Sequence, residues 1–193
     1  MNVRTVAVIG AGTMGAGIAQ VCAQTGGQTR LYDAFPEGLE KGTDSIRAFW
    51  NKGIARGKTT EQQKTEWSTN LSSHRDMSEA VVGADLVIEA VPEVMDLKQR
   101  IFRQLERMAP DLAVLATNTS GLPIGEIASA TGCPERVIGM HFFNPVPLMR
   151  LIELVRHDSC SNSTIEAAQL SLIHISEPTR LLSIAEYGLI LKK

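Results

Sequence analysis

Residues 3–15 read VRTVAVIGAGTMG, and this stretch decides the fold. Val3 to Ile9 is a short run rich in Val and Ile that ends at a glycine, the pattern of a buried strand. Gly10-Ala11-Gly12-Thr13-Met14-Gly15 matches G-x-G-x-x-G. Thr13 to Thr25 reads as a helix of small and apolar residues, closed by Gly26-Gly27. Gln28 to Asp33 is a second strand, and Asp33 falls 18 residues after Gly15. Each part has a physical task in holding a dinucleotide. Gly10 permits a tight turn, Gly12 lets the backbone approach a pyrophosphate, and Gly15 lets helix and strand pack closely. The helix N-terminus offers free N–H groups to the phosphates. Asp33 can accept hydrogen bonds from ribose hydroxyls and would repel a 2′-phosphate, so NAD is expected rather than NADP. The competing reading is a glycine turn with a surface aspartate; the strand–turn–helix–strand context favours the cofactor.

The rest of the chain repeats the alternation. Pro36 can open a helix that runs to about Arg56. GKTTEQQKTEW reads as a turn and a polar helix, Leu71 to His74 as a short strand, and Asp76 to Val82 as a short helix. Leu86 to Val91 is a strand. From Asp96 to Met108, apolar Leu97, Ile101, Leu105 and Met108 have helical spacing. Ala113 to Thr117 and Val137 to Phe142 are strands with a short helix from Ile124 between them, and Leu151 to Val155 is a last strand. Alternating strands and helices specify an α/β fold with a doubly wound, mainly parallel sheet.

Composition narrows the function. The 193 residues suit one domain with a substantial core, and 44% are hydrophobic, so the chain should fold. A net charge of −2 argues against nucleic-acid and membrane-surface binding. Three widely spaced cysteines, Cys22, Cys133 and Cys160, fit neither a disulfide framework nor zinc-ligand spacing. The start at MNVRTVAVIG lacks a signal-peptide layout, so a cytoplasmic location is expected and no metal is.

Three later stretches, TNTSGLPI, GMHFFNPVP and LIELV, follow or form strand ends, where a doubly wound sheet binds its ligands. Ser120 follows one strand and His141 sits near the end of another. Glu153 comes twelve residues after His141 inside an apolar run, where a carboxylate needs a partner. A histidine paired with it would be a base of fixed tautomer. Spacing alone leaves open a satisfied core histidine, a helix-capping serine and an edge glutamate.

The segments GAGTMGAGIAQVCAQTG, VIEAVPE, NTSGLPI and HFFNPVPLMRLIELV resemble the NAD-binding domain of the 3-hydroxyacyl-CoA dehydrogenase family, from Val3 to about Val155. HFFNPVP is the most specific block. The resemblance implies that His141 is a catalytic base, that Glu153 pairs with it, and that Ser120 hydrogen-bonds the substrate oxygen. It implies Asp33 on the adenosine ribose, and Glu93, Lys98 and Asn144 around the cofactor. Arg56 and Lys58 resemble the region that meets coenzyme A, though a solvated helix end explains them as well. The implied reaction oxidises a 3-hydroxyacyl-CoA with NAD. Two other readings are a β-hydroxyacid dehydrogenase, which would lack HFFNPVP and use a lysine, and a nucleotide-binding module without turnover.

The resemblance also implies a following asparagine motif and a helical domain that dimerises the parent protein and closes the acyl site, so this chain is expected to be a truncated fragment with little or no turnover. Asn162 to Gln169 suit the start of a connecting helix, but LSLIHISEPTR, residues 170–180, departs from it. That stretch resembles a translated transposase adapter of the kind ligated to DNA for sequencing. Residues 170–193 are therefore expected to be a non-native tail after a domain spanning 1–169. His174 would have no function, Pro178 would break a helix, and Leu170, Leu172, Ile173 and Ile175 would lack a surface made for them.

Overall fold

Val6 and Val8 point to one side of the first strand and Ala7 and Ile9 to the other, and all four are buried in two separate core clusters. A strand buried on both faces must lie inside a sheet covered on both sides. The computed structural model, which describes residues 3–149, 151–176 and 189–192, has that layout. Strand β1 (Thr5–Ile9) leads through helix α1 (Thr13–Gln24) to β2 (Gln28–Tyr32). Helices α2 (Pro36–Ala55) and α3 (Glu61–Asn70) lead to β3 (Leu71–His74), and α4 (Met77–Val81) to β4 (Leu86–Glu89). Then come α5 (Met95–Met108), β5 (Val114–Thr117), α6 (Ile124–Ala128), β6 (Val137–Phe142), β7 (Ile152–Val155), α7 (Asn162–Ser176) and β8 (Leu189–Lys192).

The strand order is β3-β2-β1-β4-β5-β6-β7-β8. All pairings are parallel except β6 with β7, which is antiparallel. This is the doubly wound Rossmann-type sheet that the sequence predicts. The order reverses between β1 and β4, so a crevice opens at their carboxyl ends. One core cluster joins α1, α2 and α7 to the sheet; the other joins α4, α5 and α6 to its opposite face.

Local chemistry explains the helix starts. Thr60 and Gln63 form a reciprocal capping box at α3, and the Asp76 carboxylate accepts the Ser78 N–H at α4. Helix α1 begins differently: Gly12 precedes it, no side chain caps it, and no acidic residue lies in its first turn.

Two expectations change. The buried side chains of α5 are Lys98, Phe102 and Leu105, whereas Met108 is 42% exposed. The helix is turned so that Leu97 and Ile101 reach the crevice, because the second core needs Phe102 and a buried carboxylate needs Lys98. Helix α7 also runs unbroken past Gln169 to Ser176. Ser171 and Leu172 are buried, Leu172 within the first core cluster, while Leu170 is 42% exposed. Leu172 thus has a surface to pack on, contrary to expectation. The readings of Pro178 and of the side chains of Ile173, His174 and Ile175 lie outside the described residues.

Leu172 supplies a test of whether this end of α7 belongs to the fold. Leu172→Ala should cost about 2–5 kcal/mol in urea unfolding, the usual range for emptying a buried leucine site. A loss below about 0.5 kcal/mol, typical of surface changes, would contradict its packing.

Candidate active site

The turn after β1 is shaped by contacts that exclude side chains. Gly10 has φ of +103°, a conformation that favours glycine. A Cβ on Gly15 would lie 1.7 Å from the Gly10 carbonyl oxygen, so α1 can sit this close to the turn only without one. A Cβ on Gly12 would meet nothing within 4 Å, because that position faces the open crevice.

The crevice is a cleft of about 670 Å³. Gly10, Gly12, Thr13 and Met14 form its floor, and Asp33 and Phe35 one end. Glu93, Asn118, Ser120, His141, Phe143 and Asn144 line it from the later strand ends. The sequence-predicted loop, acid, serine, histidine and asparagine are therefore brought to one cavity. Ala11 and Gly15, in the same turn, are buried and do not line it. Asp33 accepts the Ala11 N–H at 2.7 Å through one carboxylate oxygen and the Phe35 N–H at 2.9 Å through the other. These bonds fix the carboxylate beside the glycine turn and leave lone pairs for two hydroxyls.

The fit to a dinucleotide can be judged from these features. An uncapped helix N-terminus with no nearby acid suits a pyrophosphate. The open space above Gly12 admits its approach, and Asp33 is placed for a ribose diol.

His141 and Glu153 stand opposite each other in the antiparallel register of β6 and β7. The Nδ1 atom of His141 lies 3.2 Å from Oε2 of Glu153. Their side chains are only 20% and 13% exposed. With Glu153 ionised, the proton belongs on Nδ1, and Nε2 is the basic nitrogen. The Phe143 ring packs on the imidazole at 4.5 Å between centroids. Asn118, at the end of β5, accepts the Phe142 N–H at 2.9 Å and ties the serine-bearing loop to the histidine strand.

Three predicted residues lie elsewhere. Lys98 is fully buried behind the wall rather than on it. Its Nζ donates to Glu89 at 2.7 Å and to the Val91 carbonyl at 3.3 Å, and lies 3.4 Å from Glu93. Arg56 and Lys58 are exposed at the end of α2 and do not line the cleft.

Sequence reasoning missed Glu89, Thr117, Thr119 and Asn118. Glu89 also accepts the Thr117 hydroxyl and the Val91 N–H, both at 2.7 Å. Burial pushes its carboxyl above the ordinary range, although Lys98, Thr117 and Val91 pull it back. A signal existed: a glutamate inside the apolar strand LVIE demands a partner, and Lys98 is nine residues on. Burial also works against the charge of Glu93. There the Thr119 hydroxyl, Lys98 and the Gly121 and Ser120 N–H groups outweigh it and hold the carboxyl below its ordinary range.

Known proteins resemble this chain in both sequence and fold. The family model described as 3-hydroxyacyl-CoA dehydrogenase, NAD binding domain, matches residues 5–176. A probable 3-hydroxybutyryl-CoA dehydrogenase of Bacillus subtilis is 43% identical over 164 residues, covering 85% of this chain and 57% of the relative. The 3-hydroxyadipyl-CoA dehydrogenase of Escherichia coli is 42% identical over 181 residues, covering 93% of this chain and 38% of the relative. Among solved structures, Mycobacterium tuberculosis FadB2 superposes with a TM-score of 0.91 at 32% identity, covering all of this chain and 64% of that one. The chain thus spans about half the length of the curated relatives it matches.

The buried ion pair generates a stability prediction. Lys98→Met should cost about 3–5 kcal/mol by leaving Glu89 without its cation, and the double change Glu89→Gln, Lys98→Met should cost less than Lys98→Met alone. Chemical unfolding of both variants measures this. A double change that costs as much as Lys98→Met, or more, would contradict the claim that an unpaired Glu89 carries the loss.

Proposed function

The chain belongs to the 3-hydroxyacyl-CoA dehydrogenase family through its NAD-binding domain, and from that premise we propose that it serves the NAD-dependent oxidation of a 3-hydroxyacyl-CoA to the 3-ketoacyl-CoA. The observation that carries this reading is the His141–Glu153 pair at one wall of the cleft that the glycine turn floors. The backbone of Gly12 and Thr13 would hold the pyrophosphate, and Asp33 the adenosine ribose. Bound NAD supplies the acceptor for the C3 hydride. His141, through Nε2, takes the proton from the 3-hydroxyl. Glu153 stabilises the imidazolium that results. Ser120 donates a hydrogen bond to the reacting oxygen. The tilted Phe143 ring packs against the imidazole and helps hold it in place.

Among the described residues, no helix is long and apolar enough to cross a membrane. We place the protein in the cytoplasm, in keeping with its three free cysteines, and infer a homodimer for the parent protein. Residues 170–193 remain, on this reading, a non-native continuation whose first residues α7 nevertheless absorbs.

NADH should bind the chain more tightly than NADPH, and Asp33→Ala should narrow the gap in fluorescence titrations. Equal affinity in the unmodified chain would refute the role of Asp33. In a version extended by the C-terminal part that its relatives carry, His141→Ala should lower turnover of 3-hydroxybutyryl-CoA by about 10²–10⁴, the usual contribution of a general base, while NADH affinity is largely kept. Near-normal turnover would make His141 structural. NADH binding without any turnover by the unmodified chain would favour a binding module.

A further inference from the structure

The backbone between β5 and α6 turns around a single carboxylate. Oε1 of Glu93 accepts the Ser120 N–H at 3.1 Å, the Gly121 N–H at 3.3 Å and the hydroxyl of Thr119. The Thr119 oxygen in turn accepts the Leu122 N–H at 2.9 Å and shares that of Gly121 at 3.4 Å. Three successive N–H groups, from Ser120 to Leu122, therefore converge on two oxygen atoms. Thr119 itself is 6% exposed, whereas Ser120 and Gly121 are exposed. Behind Glu93, Lys98 lies against its other oxygen at 3.4 Å and is held by Glu89. Hydrogen bonds to a charged acceptor are the stronger kind, and a buried cation keeps that acceptor charged and in place.

We propose that Thr119 is a positioning residue for Ser120: its hydroxyl, bound to Glu93 on the buried Lys98–Glu89 pair, fixes the Thr119–Leu122 turn so that Ser120 faces the cleft. Asn118 anchors the start of this loop to the Phe142 N–H, but a Cβ on Gly121, the residue after Ser120, would meet nothing within 4 Å. A loop so open would sample several directions if the Thr119–Glu93 contact were lost. The same contact joins the loop after β4, which carries Glu93 on the cofactor wall, to the loop after β5, which carries Ser120. The part concerning Ser120 and substrate rests on the function proposed above; the hydrogen-bonded turn does not.

The test uses the 193-residue chain with Thr119→Val, Thr119→Ser and Glu93→Gln. Hydrogen–deuterium exchange is read at the Ser120, Gly121 and Leu122 amides, and acetoacetyl-CoA is titrated in the presence of NADH. Thr119→Val should speed exchange at these amides by about tenfold or more, the scale of one lost charge-assisted bond. It should weaken acetoacetyl-CoA binding more than NADH binding. Thr119→Ser, which keeps the hydroxyl, should restore both. Glu93→Gln should also speed exchange, and decides the matter if Thr119→Val does not fold. Unchanged exchange in Thr119→Val, or in Glu93→Gln, overturns the hydrogen-bonded turn. Faster exchange with undiminished acetoacetyl-CoA affinity overturns the positioning of Ser120. Failure of the unmodified chain to bind acetoacetyl-CoA overturns the substrate role of Ser120 in this chain, while the exchange rates still decide whether Thr119 holds the turn.

Discussion

Helix α1 meets the turn after β1 at a position where no side chain fits. A Cβ at Gly15 would stand 1.7 Å from the Gly10 carbonyl, so helix and turn can coexist only because the position is bare. That contact brings the N-terminus of α1 to the carboxyl end of β1. From there the cleft follows: the uncapped N–H groups face it, Asp33 reaches back to the Ala11 N–H, and β4 pairs alongside, with Glu89 buried at its end and Glu93 beyond it on the cleft wall. The alternation of buried side chains along β1 then requires helices on both faces, which the two core clusters supply.

The second organising element is a cation in an apolar setting. Lys98 is fully buried, and a charge there is tolerable only with partners. Glu89, the Val91 carbonyl and Glu93 surround it, and Thr117 and Thr119 complete the set. The network spans the ends of β4 and β5 and the first turn of α5, so it ties three separate elements at the site. Its stabilising value is modest by the usual behaviour of buried pairs. Its structural consequence is direction: it determines where the Ser120 loop and the Glu93 side chain stand relative to His141.

Most of the fold was legible because it depends on local patterns. Val-Ile runs bounded by glycine, the polar run after Gly57 and Pro36 at a first turn are all sequence-local signals. The His141–Glu153 pairing was legible as two chemically complementary residues on neighbouring strands, although their direct opposition depends on the antiparallel register of β7. What escaped was rotational and three-dimensional. Leu97, Ile101, Leu105 and Met108 have helical spacing, yet a modest rotation of α5 buries Lys98 and Phe102 and turns Leu97 and Ile101 toward the cleft. No pattern in one segment could reveal that Thr119 hydrogen-bonds a glutamate 26 residues earlier. The course of α7 past Gln169 was missed because foreign-looking residues can still satisfy a helix and a core position, as Leu172 does.

A crystal structure of the chain with NADH bound tests the central claim most directly, because that claim is a placement. The account predicts the pyrophosphate against the backbone of Gly12 and Thr13, the adenosine ribose on Asp33, and the nicotinamide in the part of the cleft bordered by Ser120 and His141. A dinucleotide lying elsewhere, or reversed so that its nicotinamide contacts Asp33 and Phe35, would contradict it.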